Sequence, residues 1–262
     1  MINISSIIEL IKHLSGHDLY PDEGVSYGDI NCEIIGLTVC WMPSPDAIQF
    51  TADRKNNILL HHEILQFKSS ISKPEDKNYL SWPVNTHRKI LLANNNVTAF
   101  RLHGSLDEIC IYKAFVKQLD LPIIKNRRFN LPYIEIYKIT PMTYAELIEK
   151  IRIIFNLPHI RYSKSDMHRI IRTIAVPWGG MALSVNFRYL QTLVSCGKID
   201  TMIAGETDSY TFHFCKEQGI DIIETSHEIS ENDGLRAFCQ ILNQEWPELK
   251  IDFFENRIIW EN

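Results

Sequence analysis

No stretch of this chain approaches the run of ~20 apolar residues that a bilayer-spanning helix needs, so no membrane partner is expected. The first helical segment lacks a basic start followed by an apolar block, so no secretory leader is expected and the sequence reads as that of a cytoplasmic protein. An excess of basic residues is absent too: 27 Lys and Arg stand against 32 Asp and Glu, giving a net charge of −5. Such a balance supplies no field to hold a phosphate backbone, so nucleic acid is not an expected partner. The six cysteines, Cys32, Cys40, Cys110, Cys196, Cys215 and Cys239, form no C-x-x-C pair and lie mostly in apolar runs. They read as reduced core thiols rather than as a disulfide framework or a zinc ribbon. What the sequence does have is enough apolar residues, 45% of 262, for one large core or two modest ones.

The most informative stretch is Ile58-Leu59-Leu60-His61-His62-Glu63, three aliphatic residues running into two imidazoles and a carboxylate. Successive side chains on a strand point to opposite faces, so neighbouring histidines share a site only where the strand has ended. Strand ends are where open α/β sheets hold ligands, and neutral imidazole is the commonest side-chain metal ligand. The pattern recurs twice. The apolar segment 97–102 ends at His103 with Asp107 four residues on, and the segment 220–225 ends shortly before His227 with Glu231 four residues on. An acid in the first turn of a helix is favoured by the helix dipole alone. Paired with a histidine four residues earlier in both cases, the two acids fit metal ligation better. The set exceeds what one tetrahedral zinc needs and suffices for two ions sharing a bridging oxygen.

Along the chain, Ser6-Ile7-Ile8-Glu9 has the spacing of a capping box for an amphipathic helix ending near Ser15-Gly16. A loop over 18–32 leads to a strand over 34–41, and Ser44-Pro45 starts a helix through about Lys55. With the strand at 58–60 this makes a βαβ unit, in which parallel pairing puts His61-His62 at the same edge as the residues after Trp41. A polar connection over 68–77, a helix over 86–94 and the strand before His103 follow, and Ser105-Leu106-Asp107-Glu108 repeats the capping spacing. From Lys125 the pattern restarts. Asn126-Arg127-Arg128 reads as a surface link, with strands over 133–139, 159–162, 170–176 and 200–204 and helices over 143–155, 184–196 and 208–218. Gly179-Gly180 reads as a tight turn. The expected fold is α/β, two interlinked three-layer α/β lobes with the second inserted into the first. A metal-binding lobe comprises 1–124 and 220–262, completed by a strand at 220–225, a helix over 232–243 and a closing pair at 251–254 and 257–260. The inserted lobe comprises 125–219.

In order and separation, His61-His62, His103 with Asp107, and His227 with Glu231 resemble the NIF-three-like dinuclear metal centre proteins, also called GTP cyclohydrolase I type 2-like. The segments Ala204-Gly205-Glu206, Glu217-Gln218-Gly219 and His227-Glu228-Ile229-Ser230-Glu231 add to the resemblance. It implies that His61, His62, Asp107, His227 and Glu231 bind two divalent ions, of zinc, iron or manganese. His103 stands beside them as the candidate for proton transfer or for orienting a ligand, with support of the ligating side chains as an equal alternative. The implied activity is metal-dependent hydrolysis of a nucleotide or phosphoester within a toroidal homohexamer, the alternative being a non-catalytic metal-binding or regulatory ring. The chain departs from the family pattern at Tyr20 to Asp29, where an Asp-Asn-x-Gly-Leu-x-Val-Gly segment is usual. It also departs at Glu63, where Pro or Gly is usual, and at Gly104-Ser105-Leu106, where Thr-Asn-Leu is usual.

Overall fold

The computed structural model describes residues 2–68, 77–128 and 133–260, so most of the polar connection expected over 68–77 lies outside the described residues. The chain runs α1 (Ile4–Ser15), β1 (Gly24–Tyr27), β2 (Gly36–Cys40), α2 (Pro45–Asp53), β3 (Ile58–His61), α3 (Pro83–Asn94) and β4 (Thr98–Arg101). After α4 (Gly104–Leu106), a π-helical turn (Asp107–Ile111) and α5 (Tyr112–Gln118) come β5 (Ile123–Arg128), β6 (Glu135–Thr143) and α6 (Tyr144–Ile154). The remainder is β7 (Arg161–Tyr162), β8 (Ile170–Ala175), α7 (Phe187–Cys196), β9 (Thr201–Ala204), α8 (Ser209–Glu217), β10 (Asp221–Glu224), α9 (His227–Glu245) and β11 (Lys250–Phe254). Two α/β units result, Met1–Ile111 with Gly234–Asn256 and Tyr112–Asp233 with Arg257–Asn262.

In the first unit the strand order is β1-β4-β3-β2-β11. β11, β2, β3 and β4 are parallel and β1 is antiparallel to β4. The expected βαβ unit is present: Ser44 Oγ accepts from Ala47 N, Pro45 opens α2, and the helix buries Ala47 and Ile48. These pack with Leu59 of β3, Leu92 of α3 and Ala99 of β4. Parallel pairing brings Cys40, His61 and Arg101 into one row at the carboxyl ends of β2, β3 and β4. α1 begins earlier than its sequence pattern indicated. Its capping box is formed by Asn3 and Ser6, because the Asn3 side chain accepts from Ser6 N and Ser6 reaches back to Asn3 N. β1 falls inside the segment expected to be a loop.

In the second unit the order is β5-β6-β8-β9-β10-β7, with β8, β9 and β10 parallel. The strand expected to complete the first lobe, at 220–225, lies here instead. Asp221 to Glu224 pair residue for residue with Thr201 to Ala204, so the hydrogen bonds of that run are spent within the second sheet. Asn126-Arg127-Arg128 is not a link but part of β5, paired antiparallel with β6. No strand forms over 257–260. α6 carries the capping box read from Thr143 and Glu146. Ala175, Met202, Ala204 and Ile222 from three strands pack with Leu190, Leu193 and Cys215 from α7 and α8. Among the described residues no helix is long and apolar enough to cross a membrane.

Candidate metal centre

At the carboxyl edge of the first sheet, β3 ends in His61 and the chain turns through His62, both fully buried. The turn is fixed by backbone pairing, with His62 N donating to the carbonyls of Cys40 and Trp41. His62 Nδ1 lies 3.1 Å from the Leu102 carbonyl, a partner that can only accept, so Nδ1 carries the proton and Nε2 the lone pair. That Nε2 lies 3.8 Å from Asp107 Oδ1. The His103 ring is tilted against the His62 ring with centroids 4.9 Å apart. One ligand atom from each of His62, His103 and Asp107 lies within 4.8 Å of the other two. Burial drives the His103 pKa below the usual imidazole value, with His62 acting in the same sense. The shift favours the neutral imidazole, the form that keeps a lone pair to donate.

His61 is placed differently. Its Nδ1 donates to the Glu63 carbonyl at 2.7 Å, and its Nε2 faces Ser26 Oγ at 2.7 Å. The same hydroxyl lies 3.1 Å from the Ala99 carbonyl. Desolvation lowers the His61 pKa to about 3, so the ring is neutral at physiological pH. The structure thus gathers His62, His103 and Asp107 and sets His61 in the same turn with its ring nitrogens on protein oxygens.

The segment that departs from the family pattern supports this edge. Glu23 accepts from His103 N at 2.7 Å, Ser105 N at 2.9 Å, Ser105 Oγ at 2.7 Å and Tyr20 N at 2.9 Å. Asp22 Oδ2 takes Arg101 Nη1 at 2.9 Å and His103 Nδ1 at 3.0 Å. Partial burial raises the Asp22 carboxyl, but the neighbouring His103 and Arg101 outweigh it and the net shift is downward. Ser105 therefore does not form the capping box read from its spacing to Glu108. Its hydroxyl goes to Glu23, while Glu108 accepts from the Tyr20 hydroxyl and contacts His17 Nε2 at 2.9 Å. Asp107 and Glu108 open the π-helical turn, a local widening that recurs at functional sites.

The second unit holds the other histidine and acid. His227 is the first residue of α9 and not a loop residue ahead of it, so His227 and Glu231 sit one turn apart on one helix face. His227 Nε2 is 3.3 Å from Glu231 Oε1, and Nδ1 is 2.9 Å from Glu206 Oε2. Glu231 is buried. The preceding Ser226 has φ of 106°, a left-handed backbone that a serine adopts only under constraint. Gly179, with φ of 49°, brings its backbone against the pair. Its N–H donates to Ser230 Oγ at 2.9 Å, and Ser230 Oγ in turn donates to the His227 carbonyl at 2.7 Å. A Cβ at Gly179 would overlap Glu231 Oε1 and stand 3.1 Å from His227 Nε2. The glycine that reads as a tight turn thus also keeps space beside an imidazole and a carboxylate. Mixed imidazole and carboxylate donors such as these fit a divalent cation of the zinc, iron or manganese kind.

A family model described as Duf34/NIF3 (NGG1p interacting factor 3) matches residues 1–258. A GTP cyclohydrolase 1 type 2 homolog of Pasteurella multocida is 26% identical over 170 residues, which is 63% of this chain and 64% of that relative. The chain therefore matches less than two thirds of the length of that curated relative. Among solved structures, the Bacillus cereus protein related to NIF3 superposes with a TM-score of 0.76 at 11% identity, over 99% of each chain. A hypothetical protein of Staphylococcus aureus does so with a TM-score of 0.71 at 14% identity, again over 99% of each chain. At these identities the two structures speak to the fold, and the fold is shared.

Proposed function

From the premise that this chain belongs to the Duf34/NIF3 family, we propose that it is a divalent-metal-dependent hydrolase acting on a nucleotide or another phosphoester. His61, His62, Asp107, His227 and Glu231 are the proposed ligands of two ions, and His103 the proposed proton-transfer group. The observation that carries this reading is the convergence of donor atoms from His62, His103 and Asp107 within 4.8 Å of one another. Divalent ions held by such donors supply Lewis acidity toward a phosphoryl or carbonyl oxygen. Burial keeps His61 unprotonated and lowers the His103 pKa, the Leu102 carbonyl accepts from His62 Nδ1, and Asp22 bonds the ring of His103. A toroidal homohexamer in the cytoplasm is the proposed setting, argued from the resemblance of the ligand pattern.

A second reading, a non-catalytic metal-binding or regulatory protein, is favoured by one observation. Asp22 and Glu23, in the segment where the family pattern is altered, spend their carboxylates on Arg101, His103 and Ser105. The deciding experiment measures metal content of the purified protein, screens nucleotides and generic phosphoesters, and repeats the screen with His103→Ala. Turnover by the loaded protein that falls at least tenfold in the variant supports the hydrolase. Bound metal without turnover on any substrate assigns the site to the second reading, and a wild-type protein that takes up no divalent ion overturns both.

A further inference from the structure

His103 and His227 are built alike, though the first is not counted among the ligands that the family resemblance implies. Each is followed four residues later by an acid, Asp107 and Glu231 respectively. Each has a second carboxylate on its Nδ1, Asp22 at 3.0 Å and Glu206 at 2.9 Å. An ionised carboxylate can only accept, so the His103 Nδ1 facing Asp22 carries the proton, and in the neutral ring Nε2 is left with the lone pair. A carboxylate behind an imidazole is the usual support of a metal-ligating histidine, since it fixes the tautomer, aims the ring and raises its basicity.

We propose that Asp22 is a positioning residue that holds His103 in the Nδ1–H tautomer, making His103 a third donor, with His62 and Asp107, to a divalent cation in the first unit. The inference rests on the metal-binding reading above and adds a ligand and its support to it. Three features of the surroundings carry it. A ring nitrogen of His103 lies within 4.8 Å of donor atoms on both His62 and Asp107. Arg101 binds the same Asp22 oxygen, with Nη1 2.9 Å from Oδ2, while Arg101 Nε donates to the His62 carbonyl at 2.9 Å. Glu23 accepts from the backbone N–H of His103 itself, so main chain and ring are held by consecutive acids. The proton-transfer role proposed for His103 would need the same tautomer, since in either role Nε2 must carry the lone pair.

The test is Co²⁺ titration of the full chain by calorimetry and visible absorption, comparing wild type, Asp22→Asn, His103→Ala and His62→Ala, with melting in chelator as a check of folding. The ligand-field band reports the donor set, which a merely structural change would not move. The expected result is that Asp22→Asn and His103→Ala each weaken Co²⁺ binding by about 10- to 100-fold and shift the band, with melting in chelator unchanged. Wild-type affinity and band in both variants, with binding lost in His62→Ala, overturn the inference and leave the metal-binding reading standing. A loss in His103→Ala that Asp22→Asn does not share overturns the positioning role. Failure of the wild type to bind Co²⁺ removes the metal-binding reading, and this inference with it.

Discussion

The Ser26 hydroxyl lies 2.7 Å from His61 Nε2, so one of the two consecutive histidines at the end of β3 gives its free lone pair to the protein itself. Any cation that takes His61 as a ligand must displace this contact. A net hydrogen bond is worth about 0.5–1.5 kcal/mol. Ser26→Ala is therefore expected to tighten divalent-ion binding by up to about tenfold, measured by calorimetric titration of wild type and variant. Weaker binding in the variant would show that Ser26 orients His61 for the ion and does not compete with it.

Gly179 holds a left-handed backbone within overlap distance of the Glu231 carboxylate. In Gly179→Ala the added methyl meets Glu231 Oε1, and the positive φ adds roughly 1–2 kcal/mol of backbone strain. The expected outcome is lower stability in denaturant together with at least a tenfold loss of divalent-ion affinity. If metal binding survives unaltered, Glu231 is not a ligand in the position the structure gives it.

Asn85 is fully buried and bonds to both backbone groups of Phe67 and to the Tyr79 carbonyl, at 2.7–2.8 Å. Truncation to Ala removes three hydrogen bonds and leaves their backbone partners unsatisfied. A loss of about 2–4 kcal/mol is expected, read from the urea midpoint at unchanged m-value. Arg88 holds the same turn through Leu65 O at 2.8 Å, so Asn85→Ala combined with Arg88→Ala should be less than additive.

Burial raises the Glu224 carboxyl to about 7, the Arg161 guanidinium opposing and Glu206 and Glu228 reinforcing the shift. The folded protein then binds more protons than the unfolded chain between the ordinary carboxyl value and about 7. Stability from this group is present in full below the unfolded value and is lost as pH rises through about 7. The effect is on the order of 2–3 kcal/mol. Glu224→Gln, which stays neutral, is expected to flatten this decline and to be the more stable protein at pH 8 than at pH 5 relative to wild type. Parallel pH profiles for the two proteins would show that Glu224 titrates normally.

Local patterns carried much of the fold. Ser44-Pro45 before an apolar face, and β-branched runs of strand length, are statements about neighbouring residues, and the structure places α2, β2 and β3 where those statements put them. β1 was not legible, because all four of its residues are half-buried and it follows two acids that look solvated. Those acids were opaque for the same reason. Asp22 and Glu23 bond to residues about 80 positions away, and nothing near them in the chain announces a partner. Glu206 was visible only as part of a family-like segment, since His227 lies 21 residues on. The strand at 220–225 was recognised as a strand but given to the wrong sheet, because its run of Ile222 and Ile223 suits any buried parallel position. Histidine with an acid four residues on was legible in both units because that spacing survives either as loop and helix start or as one helical turn.

β11 pairs in parallel along the whole of β2, and Trp41 and Met42 donate to Asn256, 215 and 214 residues further along. A nascent chain therefore emerges from the ribosome with β2 exposed as a bare edge through synthesis of the entire second sheet, whose strands all come from 123–224. That second sheet has all its strands in hand first, and the first must wait for the final segment. Release of the chain short of residue 250 leaves one edge of a fully buried-type strand open to other chains, so premature termination here would be felt as aggregation before it was felt as lost chemistry.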